Sequence, residues 1–169
     1  MSKRLLSSTT VLFGGHEEKT FRYLVEKVAP FTHNFLQPQI MDLKRGKLSL
    51  LLPFKSDFIG NPAMPCLHGG VTASLIDHCG GFCAWSTLEN PKFLLSTVDL
   101  RIDYLRPAPA ENLICDAEVI HEGGKLIRAD VVVWDLDKKK KVAVGRGVYN
   151  VYSSEKFFKN TAVNVNKKP

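Results

Sequence analysis

No stretch of this chain is apolar for the roughly 20 residues that a membrane-spanning helix needs, so a transmembrane helix is excluded. There is no internal repeat, and no G-x-S-x-G elbow of the kind that exposes a serine nucleophile. Signatures of helix-turn-helix, zinc-finger or aromatic RNA-binding modules are also missing. The four cysteines form no C-x-x-C pair. Cys79 and Cys83 share a helix face and Cys115 sits in a strand-like run, so buried, reduced thiols and a reducing compartment are expected. Cys79 follows His78, but adjacent helical residues point about 100° apart, which argues against a nucleophile–base pair. Residues 1–16 hold no acid. With Lys3, Arg4 and several Ser and Thr, they fit either a flexible terminus or a short mitochondrial presequence, so the location expected is cytoplasmic, with mitochondrial as the alternative.

What is present is an ordinary globular composition, 44% hydrophobic and 24% charged over 169 residues, enough for one domain with a real core. We expect a flexible segment over 1–19, one folded domain over 20–152 and a basic tail over 153–169. The net charge is +6, but ten of the 23 basic residues lie in Lys3–Arg4, in the Lys138–Lys141 run and in the tail from Lys156 to Lys168. That distribution argues against a nucleic-acid surface and leaves phosphates of a small ligand as a better use of the excess.

Residues 68–88, HGGVTASLIDHCGGFCAWSTL, organise the rest. The run lacks proline and is apolar almost all round, which marks a core helix. One stripe differs: Gly70, Ala73, Ser74, Asp77, Gly80, Gly81 and Ala84 recur at three- and four-residue steps around a single carboxylate. Glycines inside a helix cost about 1 kcal/mol each relative to alanine, so something must approach closely. A neighbouring helix or strand answers this, and so does a thin substrate passing Asp77. The free N–H groups at His68-Gly69-Gly70 can hold an anion or a developing oxyanion, or the glycines can simply make a tight turn. Gly69 and Asp77 are about 12 Å apart along a helix, too far to act on one carbonyl carbon. Two copies packed antiparallel about a two-fold axis would bring one copy's Gly69 beside the other's Asp77.

Elsewhere, Phe21, Leu24, Val25 and Val28 predict a helix over 20–29 ended by Pro30. Residues 39–41 are short and extended, and 47–54 read as a strand. Residues 57–67 hold Gly60, Pro62 and Pro65 and read as an irregular loop carrying Asn61. After the helix the period changes to two, with strands over 95–105, 113–121, 126–136 and 142–152 joined by short turns. In the first of these, Val98, Leu100, Ile102 and Tyr104 alternate with a polar face of Thr97, Asp99, Arg101 and Asp103. Gly145 and Gly147 again signal close approach. The class expected is α+β: one long helix wrapped by an antiparallel sheet of about five strands.

That arrangement is the hotdog fold. Leu67-His68-Gly69-Gly70, Asp77 eight residues past Gly69, Thr97-Val98-Asp99 and Tyr104-Leu105-Arg106-Pro107-Ala108 together resemble the PaaI-type (phenylacetic-acid-degradation) acyl-CoA thioesterases. These belong to the 4-hydroxybenzoyl-CoA thioesterase superfamily, and the resemblance covers about residues 40–152. It implies hydrolysis of a fatty or aromatic acyl-CoA by a homodimer or dimer of dimers, with no cofactor and no metal. Carried over by position, the Gly69 N–H polarises the thioester carbonyl beside His68, and Asp77 of the partner activates water or attacks directly. The family's asparagine is Asn61, one residue further from His68 than in the human thioesterase of this type. Its strand hydroxyl is Thr97, with Ser96 as a rival. Gly70 completes the turn, and Gly124, Lys125 and Arg146 are the positions expected to meet coenzyme A. The alternative is a hotdog protein that binds acyl-CoA without turnover.

Overall fold

A computed structural model describes residues 13–28 and 31–153. Residues 1–12, 29–30 and 154–169 lie outside the described residues, and with them most of the expected presequence over 1–16, the proline stop and the tail lysines. The first helical segment is α1 (Glu18–Tyr23), which continues as wider π-type turns over Leu24–Val28 and Thr32–Leu36. Strands β1 (Gln39–Lys44) and β2 (Lys47–Leu52) form a hairpin, and β3 (Ile59–Asn61) and β4 (Cys66–Leu67) form a small one. The central helix α2 (Gly69–Trp85) follows, then β5 (Phe93–Tyr104), β6 (Leu113–Glu122), β7 (Leu126–Trp134) and β8 (Lys141–Ser153).

The main sheet is antiparallel with the order β1-β2-β6-β7-β8-β5, so it has six strands rather than about five. The extra strand is β1, of which sequence alone shows only residues 39–41. Leu43 is its one buried side chain, too weak an apolar signal to read. The hairpin within 57–67 is hidden in the same way by glycine and prolines. The long connection between β4 and β5 is α2, which lies across one face of the sheet. Leu75, Ile76, Cys79 and Cys83 of α2 are fully buried against β2, β6, β7 and β8.

The helix ends at Trp85, three residues earlier than its apolar run predicts. Ser86 Oγ donates back to Cys83 O at 2.6 Å and Thr87 Oγ1 to Ala84 O at 2.9 Å. The β1–β2 turn then closes the end, with Gly46 N–H donating to Ser86 Oγ and Arg45 to Thr87 O, both at 2.9 Å. Local hydroxyls thus compete with the helical ladder for its last carbonyls.

Strand β5 is an edge strand running antiparallel to α2. Phe93 lies beside Trp85, Thr97 beside Asp77 and Tyr104 beside Gly69. The register slips between Thr97 and Asp99, leaving Val98 as an extra residue that is 57% exposed. This bulge corrects the strict alternation read from the sequence. It turns Thr97 inward to the helix while Leu100 and Ile102 still pack on the core.

Candidate active site

The turn into α2 is built by His68. Its extended backbone (φ −61°, ψ 134°) makes it the N-cap, and its Nδ1 accepts the Gly70 N–H at 2.9 Å. The His68 ring and the Gly70 N–H are therefore taken by each other. Gly69, the first residue of the helix, is exposed, and no partner for its N–H is found among the described residues. Tyr104 Oη donates to the Gly69 carbonyl at 2.9 Å and holds this peptide in place. The β3–β4 hairpin presses on the turn, since a side chain at Gly60 would stand 2.7 Å from His68 Cα. Asn61 is brought to the neighbourhood this way. Its Oδ1 accepts the Ala63 N–H at 3.0 Å in a local turn.

Asp77 lies two turns further along α2 and is half-buried. Thr97 Oγ1 donates to its Oδ1 at 2.8 Å. Of the two candidate hydroxyls, that of Thr97 is the one bonded to Asp77, and Ser96 is exposed beside it on β5. The carboxylate opens onto a cavity of about 350 Å³, whose far walls include Gly81, Phe82, Trp85, Leu94 and Leu95. A carboxylate at the mouth of an apolar cavity, with one hydroxyl to orient it, is placed for proton transfer or attack on a bound carbonyl.

The glycines of α2 prove to have a resident neighbour. Tyr149 of β8 lies against them: a Cβ at Gly80 would meet Tyr149 Oη at 2.3 Å, one at Gly147 would meet it at 2.2 Å, and one at Gly81 would touch the ring at 3.5 Å. Gly145 makes the same allowance for Ile76, at 2.7 Å. The close approach expected of these glycines is thus by a tyrosine of the same chain. The Tyr149 hydroxyl is buried without a hydrogen-bond partner, and burial, then the Asp77 charge, push its pKa up, so it stays protonated.

His78 shares the cavity wall. Its Nε2–H donates to Val25 O at 3.1 Å and its Nδ1 accepts from Thr32 Oγ1 at 3.4 Å, which ties the N-terminal segment to α2. Burial lowers its pKa to about 4, against the smaller opposing effect of the Val25 carbonyl, so the ring is neutral. Cys79, Cys83 and Cys115 are buried free thiols. Burial pushes the Cys83 thiol up to about 12 and raises Cys79 well above its usual range, which leaves neither as a nucleophile. Among the described residues, no cluster of three metal-ligating side chains occurs and no helix is long and apolar enough to cross a membrane.

The residues expected at coenzyme A are not gathered at Asp77 within this chain. Arg146 belongs to the face of β8 that points away from α2. It forms a two-pronged ion pair with Asp130, at 2.5 and 2.8 Å. Gly124 lies past the Trp85 end of α2, on a separate groove shared with Leu88, Phe93 and Ser153. Lys125 follows it in the same turn, where its carbonyl accepts the Val151 N–H. Conversely, sequence reading missed Tyr149, Trp85 and Leu95 as cavity walls and Tyr104 as the clamp on Gly69. The glycines at 80, 81 and 147 were the available signal for the first.

Comparison with known proteins agrees with this geometry. The thioesterase superfamily model matches residues 64–142. A putative esterase of Halobacterium salinarum is 34% identical over 129 residues, 72% of this chain and 85% of that protein. The medium/long-chain acyl-CoA thioesterase YigI of Escherichia coli K12 is 35% identical over 106 residues, 54% of this chain and 68% of YigI. The thioesterase HI1161 from Haemophilus influenzae superposes with a TM-score of 0.71 over 85% of this chain and 96% of its own, at 17% identity, and so shares the fold. The chain belongs to the thioesterase superfamily and is a thioester hydrolase with the hotdog fold.

Proposed function

We propose that the chain hydrolyses acyl-CoA thioesters at a site shared between two subunits, with Asp77 of one and the Gly69 N–H of the other. The observation that carries this reading is the Thr97–Asp77 pair at 2.8 Å on the mouth of an apolar cavity. The unpartnered Gly69 N–H stands about 12 Å away on the same helix. The uncovered edge of β5, where Val98 and Tyr104 are 57% and 53% exposed, supports the pairing of two copies. A buried edge would satisfy the free N–H and C=O groups that β5 otherwise leaves to water.

In the reaction, the acyl carbonyl accepts a hydrogen bond from Gly69 of the partner subunit as its oxygen gains negative charge. Asp77 takes a proton from water while the water oxygen attacks the carbonyl carbon. The C–S bond then breaks, and the leaving thiolate takes up a proton to give coenzyme A and the free acid. Thr97 orients the carboxylate. His68 shapes the turn that presents Gly69, and Asn61 borders it. Direct attack by Asp77 would instead pass through an anhydride; where water opens it at the Asp77 carboxyl carbon, a single turnover in ¹⁸O-water leaves label in Asp77 and unlabelled oxygen in the acid, whereas the water route labels only the acid.

The testing experiment is Asp77→Asn. The expected result is a fall in kcat of at least ~10²-fold with the fold retained, as removal of a general base produces. Affinity for a non-hydrolysable thioether analogue, measured by calorimetry, stays within a few-fold. An unchanged kcat would make Asp77 a structural carboxylate.

A further inference from the structure

The cavity beside Asp77 is an oriented slot, with Asp77 and Thr97 at one end, the rings of Tyr149 and Tyr152 on its sheet side and mainly apolar groups along the rest. Its helical wall is the stripe Asp77, His78, Gly81, Phe82 and Trp85, and Leu94 and Leu95 of β5 face it. His78 adds no polarity, because its nitrogens are engaged by Val25 and Thr32 and it presents its ring. The slot therefore runs along α2 from the carboxylate to Trp85.

Trp85 closes the far end and is fixed there. Its Nε1–H donates to Phe93 O at 3.2 Å, and its ring packs against Phe21 at 5.4 Å, Phe82 at 5.6 Å and His16 at 5.7 Å. On the remaining side, the space a side chain at Gly14 would need ends 3.0 Å from the indole. A ring held this way cannot swing aside for a longer guest.

We infer that this slot takes the acyl chain lengthwise with Trp85 as its end wall, making straight medium-length acyl groups, up to about ten carbons, the substrate class. The inference rests on the reading that Asp77 acts on an acyl-CoA. The helix sets that length. Eight helical residues separate Asp77 from Trp85, or about 12 Å. An extended chain advances ~1.2 Å per bond, taking three bonds per residue of a stretched backbone, so the slot is about ten bonds long. A longer chain must fold back or hold its thioester short of Asp77. A shorter one leaves apolar wall uncovered, at roughly fourfold in kcat/KM per missing methylene.

The experiment measures kcat/KM of the full chain for saturated acyl-CoAs of four to sixteen carbons, below their micelle concentrations, with a thiol-reactive dye. The expected profile rises to about ten carbons and falls at least ~10-fold by fourteen. Trp85→Leu, which removes the end wall, moves the optimum at least two carbons longer. Gly81→Ala moves it shorter, and because its added methyl meets Tyr149 at an ordinary 3.5 Å, it decides the matter even if Trp85→Leu fails to fold. Lys44→Ala, on β1 at the opposite edge of the sheet from β5, leaves the profile unchanged. A flat wild-type profile, an optimum at sixteen carbons, or an optimum unmoved in folded Gly81→Ala overturns the slot while the thioesterase reading stands. Turnover of none of the acyl-CoAs overturns the functional reading instead, and the same series read as calorimetric Kd then decides whether Trp85 still sets the length.

Discussion

In the first half of α2, Gly69 and Gly70 are exposed with only the Tyr104 and His68 rings against them, and Ala73 and Ser74 are half-buried. In the second half, Gly80, Gly81 and Ala84 continue the same stripe and lie under Tyr149. The residue type and the spacing are alike, but the surroundings are opposite. Small residues in the closed half are required by packing within the chain. In the open half, the proposed second subunit and substrate would supply such a neighbour. Asp77 sits at the boundary, fixed by Thr97 from within and open to the cavity.

The change that separates the halves most strongly is Gly69→Pro. Proline suits the first position of a helix, where its missing N–H breaks no helical bond. The residue before it must be extended, and His68 already is, at ψ 134°. The substitution thus deletes the proposed oxyanion donor and little else. The expected outcome is a kcat lower by ~10²–10³-fold with the melting temperature nearly unchanged, read by kinetics alongside thermal denaturation. A variant that retains full kcat would make the open half a packing surface only.

The closed half is expected to respond to pH through stability. His78 is neutral in the folded state with its pKa lowered to about 4, against 6.5 for the free side chain. The unfolded chain therefore binds the extra proton first as pH falls. Its contribution to stability is complete above about pH 6.5 and is lost progressively down to about pH 4, by roughly 3 kcal/mol in total. Denaturant titrations from pH 8 to 4 check this, and His78→Gln should lack that part of the decline. Equal slopes for the two proteins would show that the Val25 and Thr32 contacts break without His78 protonation.

A smaller effect distinguishes neighbouring glycines within the closed half. Gly80→Ala forces a methyl onto Tyr149 Oη at 2.3 Å and Val131 at 3.1 Å. It should cost ~1–3 kcal/mol, as overpacking does. Gly81→Ala makes only ordinary contact and gains helix propensity, so it should be neutral or stabilising by up to about 1 kcal/mol. Urea denaturation midpoints for both variants provide the comparison, and equal shifts would show that Tyr149 does not fill the stripe as described.

Much of this division was legible in the sequence, for physical reasons that also set its limits. A proline-free, all-round apolar run announces a core helix, and period-two alternation announces strands. Strand β1 has one buried residue and β3 lies among glycine and prolines, so neither announces itself. The carboxylate and the glycine turn stood out because each breaks an apolar or regular pattern. Tyr149 did not, since a tyrosine in a strand is ordinary and only the glycines opposite it reveal its place. The Val98 bulge reverses the facing of Thr97, and alternation carries no sign of a bulge. Arg146 was read for its charge, whereas its parity with Val144 and Val148 puts it on the outer face, opposite Asp130 across the ladder.

The shared site is tested most directly by mixing two inactive variants, Gly69→Pro and Asp77→Asn, and letting subunits exchange. In a mixed dimer one site carries both defects and the other carries neither. Random exchange makes half the dimers mixed, each with one intact site of two, so activity should return to about a quarter of the wild-type value. Mixed dimers demonstrated by native mass spectrometry with no return of activity would contradict it, and would place Gly69 and Asp77 in the service of separate sites.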